Sequence, residues 1–155
     1  MIIATRIRTG VVISYAHADK RYKYVERLEK HLAPFVKNQK VDYWIDTRIK
    51  PGSDWRKEIK QVFESAKVAI LLVSADYLAS EFIVENELPP LVAAAQQEEA
   101  VILIVILSPC AFKHTELEPY QTINSPSQPL SSMGRNNREM IWVTVAEQVS
   151  GALNC

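Results

Sequence analysis

The chain is poor in the residues that build the most recognisable sites. It has two cysteines, Cys110 and Cys155, and Cys155 is the last residue, so no structural disulfide is expected; free thiols fit a reducing, cytoplasmic setting. The histidines His17, His31 and His114 are scattered, and no Cys/His spacing marks a metal site. There is no glycine-rich phosphate cradle of either the dinucleotide-binding or the P-loop kind. Lys+Arg and Asp+Glu both count 18, so the formal net charge is +0 and nothing in the balance calls for nucleic acid or an anionic membrane. The longest apolar run, Ala100 to Leu107, falls far short of the roughly 20 residues of a membrane-spanning helix. Met1 to Arg6 lacks the apolar core of a signal peptide.

What is present is enough for a core. The 155 residues suit one domain, and 48% hydrophobic with 23% charged residues argues against disorder. Residues 1–9 and 154–155 are expected to be loosely ordered. Four apolar runs read as strands: Val11–Tyr15, Val41–Ile45, Val68–Val73 and Val101–Leu107. Between them lie amphipathic stretches. Arg21 to Phe35 places Tyr24, Val25, Leu28, Leu32 and Phe35 at helical spacing, with Asp19 as a candidate N-cap. Trp55 to about Ala66 is a second helix, capped by Ser53 or Asp54, and Ser80 opens a third that meets Pro89-Pro90 and resumes to Gln97. Pro89 disfavours helical geometry at Leu88.

The segment from Ser108 to Gly134 is irregular, with a short helix expected around Phe112–Leu117 and a short edge strand at Gln121–Ile123. Met140 to Val145 looks locally like a strand, yet Arg138, Ile141, Val145, Val149 and Ala152 fit a helical face, and a helix to Leu153 is the favoured reading. Strands alternating with helices predict a three-layer α/β fold, with a central parallel sheet of four to five strands covered on both sides. Sites in such sheets form at the carboxyl ends of the strands, which puts Tyr15–His17, Asp46–Gly52 and Ser74–Glu87 on one rim.

One carboxylate on that rim is anomalous. At ~100° per residue, Ile83, Val84, Leu88 and Leu91 share a face, and Glu87 falls within that arc while Glu81 and Glu85 fall outside it. A carboxylate aimed at an apolar face is costly unless it has a partner or a function.

The strand-turn Val12-Ile13-Ser14-Tyr15-Ala16-His17-Ala18-Asp19 is followed by Trp44-Ile45-Asp46 with Pro51-Gly52-Ser53-Asp54-Trp55. Then come Ser74-Ala75-Asp76-Tyr77-Leu78-Ala79-Ser80-Glu81-Phe82 and Glu87-Leu88. In that order these segments closely resemble a bacterial Toll/interleukin receptor (TIR) domain, over essentially the whole chain. The resemblance implies a flavodoxin-like fold and an interaction loop at Arg48, Ile49, Lys50, Pro51, Gly52 and Ser53. It also implies cleavage of the nicotinamide–ribose bond of NAD+, with NAD+ as substrate and no separate cofactor or metal. The glutamate essential in NAD-cleaving members matches Glu87. In the plant form an aromatic-Cys pair precedes that glutamate by one residue fewer; here Phe82-Ile83 stands in its place, and Glu85 is the rival.

Cleaving this N-glycosidic bond gives an oxocarbenium-like transition state with a cationic leaving group. One carboxylate near the ribose can stabilise the developing charge, and burial would raise its pKa. The product would be nicotinamide with ADP-ribose, or a cyclic isomer if the adenine end attacks. The substrate-binding candidates are Tyr15, Ala16, His17, Asp46, Arg48, Trp55, Ser80 and Phe82. Tyr15, Trp44, Trp55 and Phe82 offer stacking surfaces, with plain core packing as the ordinary alternative. His17, Arg48 and Lys50 could meet phosphate, or could be solvated loop residues.

By family resemblance, activity depends on assembly with other TIR domains, brought together by a sensor domain or chain in bacterial antiphage defence. Two other readings compete. In a non-catalytic interaction module, the Pro51-Gly52 loop docks another TIR domain and Glu87 is structural. A phospho-receiver domain needs an acidic pair after strand one and a lysine after its last strand. Tyr15-Ala16-His17 and Ser108-Pro109-Cys110 stand in those places.

Overall fold

The β-branched and aliphatic runs form a four-stranded, fully parallel sheet in the order β2-β1-β3-β4. The computed structural model describes residues 10–38, 44–46 and 61–154. Its strands are β1 (Gly10–Tyr15), β2 (Trp44–Asp46), β3 (Ala66–Val73) and β4 (Val101–Ile106). Val12 lies opposite Ile45 on one side and Ala69 on the other, and Leu71 lies opposite Ile104. The strand order reverses between β1 and β3, the switch point of a flavodoxin-like α/β fold; in such folds ligands bind outside the strands' carboxyl ends at that point.

Strand alternation sorts the core into two layers. Val11, Ile13, Val68, Ile70 and Leu72 face α1 (Tyr24–Lys37) and the C-terminal helix, whereas Val12, Ala69, Leu71 and Val73 face the opposite layer with Ile83, Leu88 and Leu91. Burial on both faces explains why these strands are continuous apolar runs rather than alternating ones.

The approach to α1 differs from expectation. His17–Tyr22 is a 3-10 helix, Lys23 then turns through φ 57°, and α1 starts at Tyr24. Asp19 is therefore not the cap of α1. The tighter turn buries it, and its carboxyl accepts a hydrogen bond from the Ser74 hydroxyl. Ser74 also caps an unexpected short helix, α2 (Ala75–Ala79), by accepting from the Tyr77 amide at 3.0 Å.

Ser80 receives the Ile83 amide at 3.3 Å, as expected of a helix start. Residues 81 and 82 are α-helical, Ile83–Glu87 forms a π turn, and α3 (Leu88–Gln96) continues directly. The prolines do not interrupt this helix: Leu88 keeps helical angles, φ −68° and ψ −43°. They fall in the first turn of α3, where a missing N–H is tolerated, just after the π turn has reset the hydrogen-bond ladder.

The C-terminal element is a helix, α4 (Arg135–Leu153), burying Trp142, Val145, Ala146 and Val149. Its helical periodicity outweighs the strand-like composition of residues 140–145. Arg27 of α1 clamps Glu139 of α4 through Nε at 2.9 and 3.0 Å and also through Nη2, while His31 Nε2 lies 3.0 Å from the same carboxylate.

The helix expected at 112–117 is a shorter 3-10 turn, Phe112–His114. The expected edge strand reduces to one parallel bridge, Thr122 with Ile104, plus the Ile123 amide donating to the Ile104 carbonyl at 2.7 Å. Beyond it the Asn124 side chain takes over. Its Oδ1 accepts from the Ile106 amide, and its Nδ2 donates to the Ile106 and Gln128 carbonyls, each at 2.9 Å. Residues 61–65 are helical; the rest of the helix expected from Trp55 lies outside the described residues, as do 1–9 and 155. No helix among the described residues is long and apolar enough to cross a membrane.

Candidate functional site around Glu87

Glu87 ends the π turn and is only 4% exposed, whereas Glu81 and Glu85 are exposed. A π turn carries one more residue than the α turn it replaces, closing i→i+5 hydrogen bonds; here the Leu88 amide bonds the Ile83 carbonyl. This extra residue matches the one-residue difference in spacing between Phe82-Ile83 and Glu87. The widening keeps Ile83 and Leu88 buried on either side of it and turns Glu87 inward.

Glu87 meets the end of β1. The Ser14 hydroxyl donates to Glu87 Oε1 at 2.7 Å, and Ser14 Oγ lies 2.8 Å from the Tyr77 hydroxyl. A serine hydroxyl has one proton, so with that proton on Glu87 the Tyr77 hydroxyl is the donor to Ser14. The order is Tyr77 to Ser14 to Glu87, and all three side chains are buried. Desolvation pushes the Glu87 pKa up to about 7 against the lowering effect of the Ser14 hydrogen bond. Burial likewise raises the Tyr77 phenol, which keeps it protonated as a donor. Tyr77 also joins a second buried group, since its amide bonds Ser74, whose hydroxyl donates to Asp19. Burial raises the Asp19 pKa, opposed by that hydrogen bond.

Of the expected contact residues, Ala16 is buried in the same layer as Ile83 and Leu88, and half-buried Phe82 packs against that layer. Ser80 is half-buried at the helix start. Tyr15 packs against the opposite layer, and His17 is exposed on the 3-10 turn. Asp46 ends β2 with its backbone opposite Ile13, and Trp44 pairs with Val11. Arg48, Ile49, Lys50, Pro51, Gly52, Ser53 and Trp55 lie outside the described residues.

Ser14 and Tyr77 escaped the sequence reading, although a serine inside Val11-Val12-Ile13-Ser14-Tyr15 is itself a signal. A polar side chain on a strand buried on both faces needs a partner. Among the described residues, no group of three or more His, Cys, Asp or Glu is placed to hold a metal ion. The arrangement provides one carboxyl that can change protonation near neutrality, oriented by a hydroxyl relay, at the sheet's switch-point rim. When ionised, it can accept hydroxyl donors and stabilise nearby positive charge.

The chain is 27% identical over 122 residues to the uncharacterized protein y4lF of Sinorhizobium fredii, covering 79% of this chain and 37% of that one. The chain thus spans little more than a third of that relative's length. Among solved structures it is similar to the TIR domains of the activated Roq1 resistosome that directly recognises the pathogen effector XopQ. That match has 14% identity and a TM-score of 0.47, covering 92% of this chain and 83% of that one. The family model for the TIR domain matches residues 11–135, most of the chain, and the chain belongs to the TIR domain family.

Proposed function

We propose that this TIR domain is an NAD+ nucleosidase that cleaves the nicotinamide–ribose bond when copies assemble. The observation that carries the reading is the buried Glu87 carboxyl, hydrogen-bonded to Ser14 at the carboxyl-end rim. In this reading the ionised Glu87 binds the ribose hydroxyls and stabilises the oxocarbenium-like transition state as nicotinamide departs. Water or the adenine end completes the reaction, giving ADP-ribose or a cyclic isomer. Ala16, Ser80 and Phe82 would line the site. The loop Arg48–Ser53 of one copy would help to complete a neighbour's site, with a sensor domain or chain driving assembly in the cytoplasm during antiphage defence.

The test is nicotinamide release from NAD+ at high protein concentration or with the domain forcibly clustered. Wild type should turn over, Glu85→Gln should retain activity, and Glu87→Gln should lose it by about a hundredfold or more, the scale of removing one transition-state electrostatic contact. Loss in Glu85→Gln alone would reassign the carboxylate. No turnover in clustered wild type would instead favour a non-catalytic TIR–TIR interaction module.

A further inference from the structure

The N-terminal ends of α1 and α4 border a half-open cavity of about 240 Å³, on the face of the sheet opposite Glu87. Lys23, Arg27, Arg135 and Arg138 converge on it and face a single carboxylate, Glu139. Glu139 is already committed to Arg27 and His31. Arg138 spends its Nε on the Leu130 carbonyl at 2.8 Å. The side chains of Lys23 and Arg135 have no hydrogen-bond or ion-pair partner among the described residues, and both are exposed. In a chain of formal net charge +0, this is a local excess of positive charge built into a concave surface.

The placement also runs against helix electrostatics. Helix N-termini carry partial positive charge and favour anions. Yet α4 opens Arg135-Asn136-Asn137-Arg138, with no acidic residue in its first turn and no side-chain cap, while α1 has Lys23 as its uncapped N-cap residue and Glu26 as the acid of its first turn. The cations and the N-terminal end of α4 therefore repel one another in the free protein. An anion in the cavity relieves that conflict. The cavity has room for a group of diphosphate size. Of the aromatic walls, Tyr22 stacks on Tyr24, with centroids 5.8 Å apart, and carries the Arg21 guanidinium at 4.8 Å.

We propose that this cavity binds a small soluble phosphoanion of diphosphate size, held by Lys23, Arg135 and Arg138, at a site separate from Glu87. It requires nothing of the activity proposed for Glu87. The test is calorimetric titration of the chain with inorganic pyrophosphate at low ionic strength. Wild type should bind, and added salt should weaken binding. Lys23→Glu and Arg135→Glu should each lower affinity about tenfold or more, the scale of losing a charge-assisted contact, while Arg135→Lys should retain most of it. Glu139→Gln should tighten binding by removing the one negative charge, and Glu87→Gln should leave it unchanged. Lys23 and Arg135 are exposed, so folding of these variants is checked directly by circular dichroism. Equal affinity in wild type and both charge reversals would overturn the proposal. So would capture by vesicles bearing phosphorylated inositol lipid without any binding of pyrophosphate.

Discussion

The Ser14 hydroxyl reaches across 73 positions of sequence to donate a 2.7 Å hydrogen bond to Glu87 Oε1. It is the contact that holds the Glu87 pKa below what burial alone would impose. Ser14→Ala should therefore push that pKa further up. For the proposed NAD+ cleavage with the ionised carboxylate as the working form, the rising limb of the pH profile should move to higher pH, with activity recovered in alkaline buffer. The variant should also lose about 1–2 kcal/mol of stability, because buried polar atoms of Glu87 and Tyr77 lose their common partner. A pH–rate profile alongside urea unfolding checks both.

Glu87 itself should make stability depend on pH. Its folded pKa of about 7 stands above the ordinary 4.5, so the neutral form is the one the fold favours. The contribution is fully present below about pH 4.5, declines as the unfolded chain ionises first, and is lost once pH rises through 7. The shift corresponds to roughly 3 kcal/mol. Glu87→Gln cannot ionise, so its stability relative to wild type should improve by about that amount between pH 5 and pH 8. Denaturant midpoints at the two pH values measure it, and parallel behaviour of the two proteins would contradict the buried carboxyl.

Glu139 should behave in the opposite sense. Hydrogen bonds from Arg27, then His31, hold its pKa down at about 2. Its stabilisation is present above about pH 4.5 and fades as pH falls toward 2. Glu139→Gln should cost roughly 1 kcal/mol at pH 7, a modest value because Arg27 is part-exposed and screened. The gap from wild type should close as the solution is acidified below pH 4.5.

The π turn makes a prediction about length rather than identity. Ile83 and Leu88 are both buried five positions apart, the spacing of one π turn. Deleting exposed Asn86 brings them to four apart, the same-face spacing of an α-helix. The deletion should keep the fold within about 1 kcal/mol, since neither buried residue leaves its layer. Inserting one alanine at that point instead swings the following residues by ~100° and should cost about 3 kcal/mol, by displacing a side chain such as Leu88 from the core. Thermal melts of both variants separate the outcomes.

How legible these features were in the sequence depended on how far apart their parts lie. Strands β1, β3 and β4 and the helical C-terminus follow from periodicity within one element and match the structure, as do residues 44 and 45 of the second expected strand; its residues 41–43 lie outside the described residues. The inward direction of Glu87 follows from periodicity too, but the α pattern put Val84 on the same face, and Val84 is 42% exposed because a π turn, not an α turn, carries Glu87 inward. The Glu87 partner does not follow from periodicity, because Ser14 belongs to a strand and the glutamate to a helix, and no local pattern links them. Asp19 illustrates a second reason. Capping residues look alike in sequence, and only the 3-10 turn before Lys23 decides that its carboxyl goes to Ser74 rather than to the amides of α1. Pro89-Pro90 illustrates a third, because a rule that ends helices at prolines assumes an α ladder, and a π turn had already altered it.

The Asn124 side chain gives the free edge of β4 a blunt finish. Its amide reads like a single peptide group, accepting from the Ile106 amide and donating to its carbonyl. An incoming strand would find those groups occupied. Open edges of parallel sheets are templates for runaway strand addition. Under the assembly proposed above, a domain gathered in many copies would have particular need to forbid that route. Asn124→Leu should leave the Ile106 groups bare and promote β-rich aggregation, visible as thioflavin binding.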